Sequence, residues 1–335
     1  MDKVKKARSS VYKKSIEIKG KGQVEVKGFD FSKKFDLSEF FNSLQKTGFQ
    51  ATELYTAIQI FKKMRENKVT IFFGYTSNMV SCGLREVICY LTKNKIVDVL
   101  VTTAGGLEED VLKLFGPYFL GDYNASGKVL RNKGINRTGN LYIPNSRYIK
   151  FEKFINVFLQ RLYKKQKETG KIITTTELCY ELGKEVEKLP NKEESICYWA
   201  YKNNIPLFCP ALTDGSFGDV FFFFKQQHQD MFIDMSDEVY KLNKIAINAE
   251  KTGIIALGGS VPKHAIANAN LFREGTDYAI YLTTAQEYEG SNAGANPEEA
   301  KSWGKIKGDA KTIKVVGDCS ITFPLLIAGF LYLKK

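Results

Sequence analysis

The strongest constraint in this 335-residue chain is a repeated change of pattern. Short apolar runs each end in a cluster of small polar residues, and helical spacing follows. Residues 69–75 run into Thr76-Ser77-Asn78, and 96–103 into Ala104-Gly105-Gly106. Residues 206–209 lead to a turn with Asp214-Gly215. Residues 254–257 end in Gly258-Gly259, 278–282 in Thr283-Thr284, and 312–316 in Asp318. Such runs suit strands buried on both faces, and strands alternating with helices build an open, mainly parallel sheet. The expected fold is α/β, a single large doubly wound sheet over residues 35–335. Ligands of such sheets lie at the carboxyl ends of the strands, where these polar clusters fall.

Helical spacing marks 36–44, 51–67, 76–93, a stretch opening at 107, 150–169, 176–188, 195–203, 237–252, 264–273, 297–302 and 320–333. Residues 46–52 read as a linker and 116–148 as loops. Residues 1–34 carry eleven basic and four acidic side chains, which is seven of the twelve net positive charges. This basic N-terminal arm reads as partly flexible, with a mobile tail or short hairpin over 1–27, able to dock on an acidic partner. Zinc-finger spacing, RNP-like aromatics and a GXXG loop are all missing, so nucleic acid binding rests on charge alone. No apolar run approaches the roughly 20 residues that span a bilayer, and no signal peptide follows the basic start. A cytoplasmic protein is expected. Six scattered cysteines without a CxxC pair suit buried thiols, and two histidines argue against a His-rich zinc site. No metal is expected.

Three groups carry chemistry. Small residues at strand ends let a backbone approach phosphates, and helix N-termini supply N–H donors, which suits a dinucleotide in a Rossmann-like site. Asp214 or Asp318 would then meet ribose or adenine. The G-x-G-x-x-G fingerprint is missing, and ordinary tight turns are the alternative. The second group is Glu108, Glu109, Asp219, Glu287, Glu289 and Glu299, all expected at one edge of the sheet. Converging, they would form an acidic pocket for a polycation; otherwise Glu108-Glu109-Asp110 is a helix start favoured by the dipole. The third is Lys305, in Glu299-Ala-Lys-Ser-Trp-Gly-Lys305. The Trp303 indole is an apolar wall that favours a neutral, nucleophilic amine; the alternative is one more surface cation among 49 Lys and Arg. His264 is expected to open a helix just past Gly258-Gly259, as a proton shuttle or as a cap.

The chain resembles the deoxyhypusine synthase family from about residue 28 to 331. The strings are Gly48-Phe-Gln-Ala-Thr, Gly74-Tyr-Thr-Ser-Asn, Val99-Leu-Val-Thr-Thr-Ala-Gly-Gly, Gly134-Ile-Asn-Arg and Pro210-Ala-Leu-Thr-Asp-Gly-Ser, then Lys263-His, Ile266-Ala-Asn-Ala-Asn, Thr284-Ala-Gln-Glu and Ser302-Trp-Gly-Lys. The resemblance implies NAD-dependent oxidation of spermidine and capture of its aminobutyl group as an imine on Lys305, with release of 1,3-diaminopropane. Transfer to one lysine of a translation factor follows. It implies His264 as proton acceptor and Glu109 as support. NAD contacts would come from Ser77, Asn78, Ser81, Thr102, Thr103, Ala104, Glu109, Asp214, Gly259, Thr284, Asp318 and Cys319. Spermidine contacts would come from Glu108, Glu109, Asp219, His264, Gly290, Ser291, Asn292, Glu299, Trp303 and Lys305. It also implies a homotetramer of dimers, with sites at the dimer interface and an N-terminal segment able to cover a neighbouring site.

Three positions depart from the family pattern. Glu289-Gly-Ser-Asn292 stands where Asp-Gly-Ser-Asp is usual, Ser260 where a third glycine is common, and Cys319 where alanine is common. A neutral Asn292 in place of a carboxylate would weaken a dry amine contact by roughly 1–2 kcal/mol. Two rivals follow from this: a homospermidine synthase-like transfer to putrescine, and a non-catalytic NAD-binding partner subunit of a mixed, hetero-oligomeric tetramer.

Overall fold

The structure, a computed structural model, describes residues 2–15 and 23–333. The chain opens with α1 (Asp2–Val11), α2 (Leu37–Thr47) and α3 (Phe49–Glu66), then β1 (Thr70–Tyr75), α4 (Ser77–Ser81), α5 (Arg85–Lys93), β2 (Val99–Thr102) and α6 (Ala104–Leu114). An insertion holds β3 (Phe119–Leu120), α7 (Gly127–Asn132), β4 (Ile135–Thr138) and β5 (Leu141–Pro144). There follow α8 (Ser146–Thr169), β6 (Ile173–Thr174), α9 (Thr175–Val186), α10 (Ile196–Asn203), β7 (Leu207–Phe208), α11 (Ser216–Lys225), β8 (Ile233–Asp234) and α12 (Ser236–Asn248). The last part is β9 (Thr252–Leu257), α13 (Ser260–Leu271), β10 (Thr276–Thr283), α14 (Pro297–Ser302), β11 (Ile306–Val316) and α15 (Cys319–Tyr332).

The expected parallel sheet is present. Six strands run in the order β11-β10-β9-β1-β2-β7 and every neighbouring pair is parallel. The chain steps from β1 to β2 and β7 on one side, then returns to β9 and steps the other way. The strand order therefore reverses between β1 and β9, where Tyr75 lies level with Leu257. β1, β2 and β9 are buried along almost their whole length because both faces are covered. One core includes Ile71, Phe73, Leu100, Ile255 and Ile280; the other face packs Phe72, Val101, Ile254, Ala256 and Tyr281 on residues of α12 and α13.

Several expectations change. The stretch 116–148 is no simple loop, since β3, β5 and β4 form a small antiparallel sheet. These strands have two to four residues each, too few to show period-two alternation. The helix expected over 76–93 is two helices, broken at Cys82-Gly83-Leu84. Helix α11 was not expected, and Asp219 lies in its first turn. Helix α1 stands where a mobile tail or hairpin was expected, with strong helix formers behind Asp2; residues 16–22 of that hairpin lie outside the described residues. The end of the basic segment is tied down: Lys27 N–H donates to the Lys46 carbonyl at 2.9 Å, and Phe29 sets its ring edge against Phe31, Phe35 and Phe40. Five cysteines are buried, Cys82 is half-buried, and all six are free thiols. Among the described residues no helix is long and apolar enough to cross a membrane, and no cluster could hold a metal ion.

Two buried carboxyl groups differ in their supply of partners. Asp110 is fully buried and accepts from Arg85 Nε at 2.9 Å, Ser195 Oγ at 2.6 Å, and the N–H groups of Ile196 and Cys197 at 3.1 and 2.9 Å. It binds α6 to α5 and to the N-terminus of α10. Glu238 has two buried oxygens without a hydrogen-bond partner, and burial pushes its pKa up to about 8. Asp110→Ala should destabilise the fold by about 3–5 kcal/mol, because it strands a buried guanidinium; a urea midpoint within error of wild type would refute this. For Glu238 the folded pKa is raised, so its contribution is full below about 4.5 and is lost as pH rises toward 8. Glu238→Gln should flatten the fall in stability between pH 5 and 8, measured by urea unfolding across that range.

Candidate functional site

The reversal between β1 and β9 opens a crevice at the carboxyl edge of the sheet. On one wall α4 and α6 begin, directly after β1 and β2. Thr103 precedes α6, and its Oγ1 is buried without a partner. The α6 start is tight: a Cβ on Gly105 would lie 2.6 Å from Ser77 Cβ, and one on Gly106 would overlap the Thr102 side chain. Thr102 Oγ1 is occupied, donating to the Tyr75 carbonyl at 3.0 Å. On the other wall Gly258 has φ +76°, and Gly259 lies so close to Ala293 that a Cβ would overlap it. Ser77, Asn78, Ser81, Thr102, Thr103, Ala104 and Gly259 thus lie at or just after the carboxyl ends of the neighbouring strands β1, β2 and β9. Thr284 and Asp318 follow β10 and β11 at the same edge. Asp318 caps α15 by accepting from Ser320 N–H at 2.7 Å. Cys319 is buried, donating to the Leu282 carbonyl at 3.2 Å, and burial pushes its thiol up to about 11. Asp214 is exposed in the turn after β7.

The run Glu108-Glu109-Asp110 is neither a plain helix start nor one acidic patch. Successive residues of a helix point about 100° apart, and the three carboxylates go to three places. Asp110 enters the core. Glu108 accepts from Phe217 N–H at 2.6 Å, and Gly215 abuts it closely, at φ +149°. Burial pushes Glu108 up to about 7, against the pull of the Phe217 and Ser216 N–H groups; Glu109 and Asp219 raise it further. Glu109 is also raised by burial, with Tyr118, Lys113 and Ser81 favouring its charged form, and its Oε2 has no hydrogen-bond partner. The buried Tyr118 hydroxyl has none either. Burial and then the charges of Glu109 and Glu108 hold the Tyr148 phenol protonated. Tyr148, Asn145, Glu152, Ser216 and the exposed Asp219 line a cavity of about 200 Å³.

The lysine group sits on the opposite face of the sheet. Helix α13 runs back from the carboxyl edge, and α14 returns the chain to the amino end of β11. Lys305 immediately precedes β11, and its carbonyl accepts from Thr276 N–H at 3.1 Å. Its Nζ lies 5.6 Å from the centre of the Trp303 ring. Trp303 is 66% exposed. His264 falls in the second turn of α13, not at its start, because the helix begins at Ser260. Burial lowers the His264 pKa, and the positive charge of Lys305 lowers it further. The His264 side chain is nevertheless exposed, and Lys305 acts on it through charge. Glu299 lies in the first turn of α14, exposed.

Glu287 and Glu289 hold their own loop: Glu287 accepts from Lys314 Nζ at 3.0 Å, and Glu289 Oε1 from Gln286 N–H at 3.0 Å. Gly290 takes φ +65°, Ser291 accepts from Gly294 N–H at 3.4 Å, and Asn292 Nδ2 donates to the Ser260 carbonyl at 3.0 Å. Glu108, Glu109, Asp219, Glu287 and Glu289 do follow strands at the carboxyl edge, but within one chain they do not converge into a single acidic pocket. Among the described residues no hydrogen bond or ion pair joins the Glu108, Glu109 and Asp219 group to the His264, Trp303 and Lys305 group.

Sequence reasoning missed Tyr118, Tyr148 and Tyr281, whose hydroxyls are concealed in apolar patterns. It also missed Lys263, which reads as one more cation next to His264. Lys263 is 3% exposed, and its Nζ lies 4.1 Å from the centre of the Tyr281 ring.

A family model described as deoxyhypusine synthase matches residues 39–330. A Methanocaldococcus jannaschii protein named "Probable deoxyhypusine synthase" is 55% identical over 292 residues, covering 84% of this chain and 88% of its own. The deoxyhypusine synthase of Musa acuminata is 44% identical over 348 residues, covering 96% and 92%. A crystal structure of an Entamoeba histolytica protein assigned to deoxyhypusine synthase superposes with a TM-score of 0.67 at 29% identity, covering 92% of this chain and 98% of that one. With the family model spanning most of the chain and relatives near half identity over nearly all of it, the chain belongs to the deoxyhypusine synthase family.

Proposed function

We propose that the chain moves the 4-aminobutyl group of spermidine to one lysine of a translation factor, with NAD as cofactor and Lys305 as nucleophile. The observation that carries this reading is the His264–Lys305–Trp303 group. A neutral imidazole accepts a proton from an amine, a neighbouring lysine attacks an imine carbon, and an open indole face packs a four-carbon chain.

The crevice between β1 and β9 fits NAD. The start of α6 and the Gly258-Gly259 turn lie at the carboxyl ends of β2 and β9, where ligands of such sheets bind, and the orphaned Thr103 Oγ1 offers a buried polar partner. Ser77, Asn78, Ser81, Thr103, Ala104, Glu109, Asp214, Gly259 and Thr284 would hold it. Thr102, Asp318 and Cys319 would shape the crevice, since their side-chain bonds to the protein are already made. When bound, NAD supplies removal and return of a hydride at the carbon that bears the amine.

The chain's own groups do the rest. Glu108, Glu109 and Asp219 attract a polyamine cation, and an ammonium beside Glu108 lowers its raised pKa. His264 takes the proton released from the amine. Lys305 adds to the imine carbon and 1,3-diaminopropane leaves. The acceptor lysine then displaces Lys305, which regains its free amine. Because the carboxylate group and the lysine group lie on different faces of one chain, a complete site draws on two copies. This supports the reading of a homotetramer built from dimers.

Lys305→Ala should abolish transfer of label from spermidine to the translation factor while leaving the NAD dissociation constant within about twofold of wild type. Retained transfer would remove Lys305 from its role; no transfer by wild type would remove the whole reading. For Glu108, the charged form that attracts the amine is present above about pH 7. Spermidine affinity in the NAD complex should therefore fall as pH drops from 8 to 6, by up to about tenfold per unit below 7. Glu108→Gln should bind weakly with a flatter profile. An unchanged slope in the variant would reassign the effect to another group.

A further inference from the structure

Ser260 and Asn292, on the first turn of α13 and in the loop after β10, are bonded to each other. Ser260 is the first residue of α13 and takes φ +58°. A side chain in the left-handed region costs roughly 1–2 kcal/mol, and glycine largely escapes it. Asn292 Nδ2 donates to the Ser260 carbonyl at 3.0 Å. The bond needs a donor at position 292, which an ionised carboxylate lacks. A carboxylate at position 292 would set one oxygen against another.

The same contact zone is held from below. Lys263 Nζ donates to the carbonyls of Asn292 at 2.7 Å and Ala295 at 2.8 Å, and among the described residues no carboxylate pairs with it. Lys314 Nζ donates to the Gly294 carbonyl at 2.6 Å and bonds Glu287. A Cβ on Gly259 would overlap Ala293, so backbone packs on backbone between these fastenings. Loop 287–295 and the first turn of α13 therefore form one body, and His264 is the residue after Lys263.

We propose that Asn292 is a positioning residue: through Ser260 it locks loop 287–295 onto α13 and so sets the place of His264, instead of offering its side chain to the polyamine. Ser260 and Asn292 are then a matched pair. The strained turn at 260 needs the amide at 292, and a glycine at 260 would release position 292 to be acidic. The catalytic part of this inference rests on the reading above, whereas the lock itself does not.

The test is a double-mutant cycle with Ser260→Gly and Asn292→Asp, using the full chain. Hydrogen exchange of residues 287–295 in the protein without NAD or polyamine reads the lock alone. Asn292→Asp should speed that exchange by about tenfold, and Ser260→Gly should leave it within about twofold. The double variant should return close to wild type. In turnover, Asn292→Asp should lower kcat by about fivefold to tenfold, and adding Ser260→Gly should restore most of it. If Asn292 is instead a polyamine ligand, the new carboxylate lowers KM for spermidine whichever residue stands at 260, and the two substitutions add. Additive effects or unchanged exchange overturn the lock. Coupled exchange in a protein that transfers nothing keeps the lock and overturns the functional reading. Lys263→Met gives an independent check: it should loosen the same segment, and unchanged exchange there also counts against the lock.

Discussion

Asp110 is the point on which the geometry of α6 depends. A buried carboxylate is tolerated only when its oxygens are well supplied with donors, and here there are four: a guanidinium, a hydroxyl and two N–H groups of a helix start. With that residue fixed, the rotation of α6 about its axis is fixed as well. Glu109 must turn toward Ser81 and Tyr118, and Glu108 toward the start of α11. Both then lie in poorly hydrated surroundings where burial dominates their titration. The site acids owe their raised pKa values to a neighbour that serves the core.

This division shows how far the sequence could be read. The six parallel strands are legible because each apolar run ends in small polar residues before a helical pattern, and their shared edge follows from topology. The parts that stayed hidden depend on three-dimensional partners. Nothing in Glu108-Glu109-Asp110 says which acid is inward; that is decided by Arg85 and Ser195. β3, β4 and β5 are too short to carry a period. The start of α11 is masked by Gly215 and Gly218, which read as loop. His264 was expected at a helix start because Ser260, at positive φ, does not look like the first residue of a helix. The role of Lys263 was concealed by its charge, since a cation in a basic chain is expected in water, not beneath a loop.

The site joins two electrostatic strategies in a protein of net charge +12. On the α6 side, carboxyl groups are kept partly neutral by burial. On the α13 side, partial desolvation and the positive charge of Lys305 lower the pKa of the exposed His264. In both, the surroundings move the titration of an ordinary residue: Glu108 is raised to about 7 and His264 is lowered. Loop 287–295 adds a third element, a segment whose carbonyls face two lysines and whose shape is set before any substrate arrives.

The ends of the central sheet carry a consequence of another kind. At one end β7 offers only two residues, Leu207 and Phe208. At the other, the eleven residues of β11 carry Lys307, Lys311 and Lys314, pair with β10 on one side, and pack under α3. Short or lysine-rich edges resist pairing with a foreign strand. The sheet is therefore closed to growth in both directions, although it is long and apolar enough to nucleate aggregation while folding. A copy that joins this one is therefore not expected to do so by extending the central sheet.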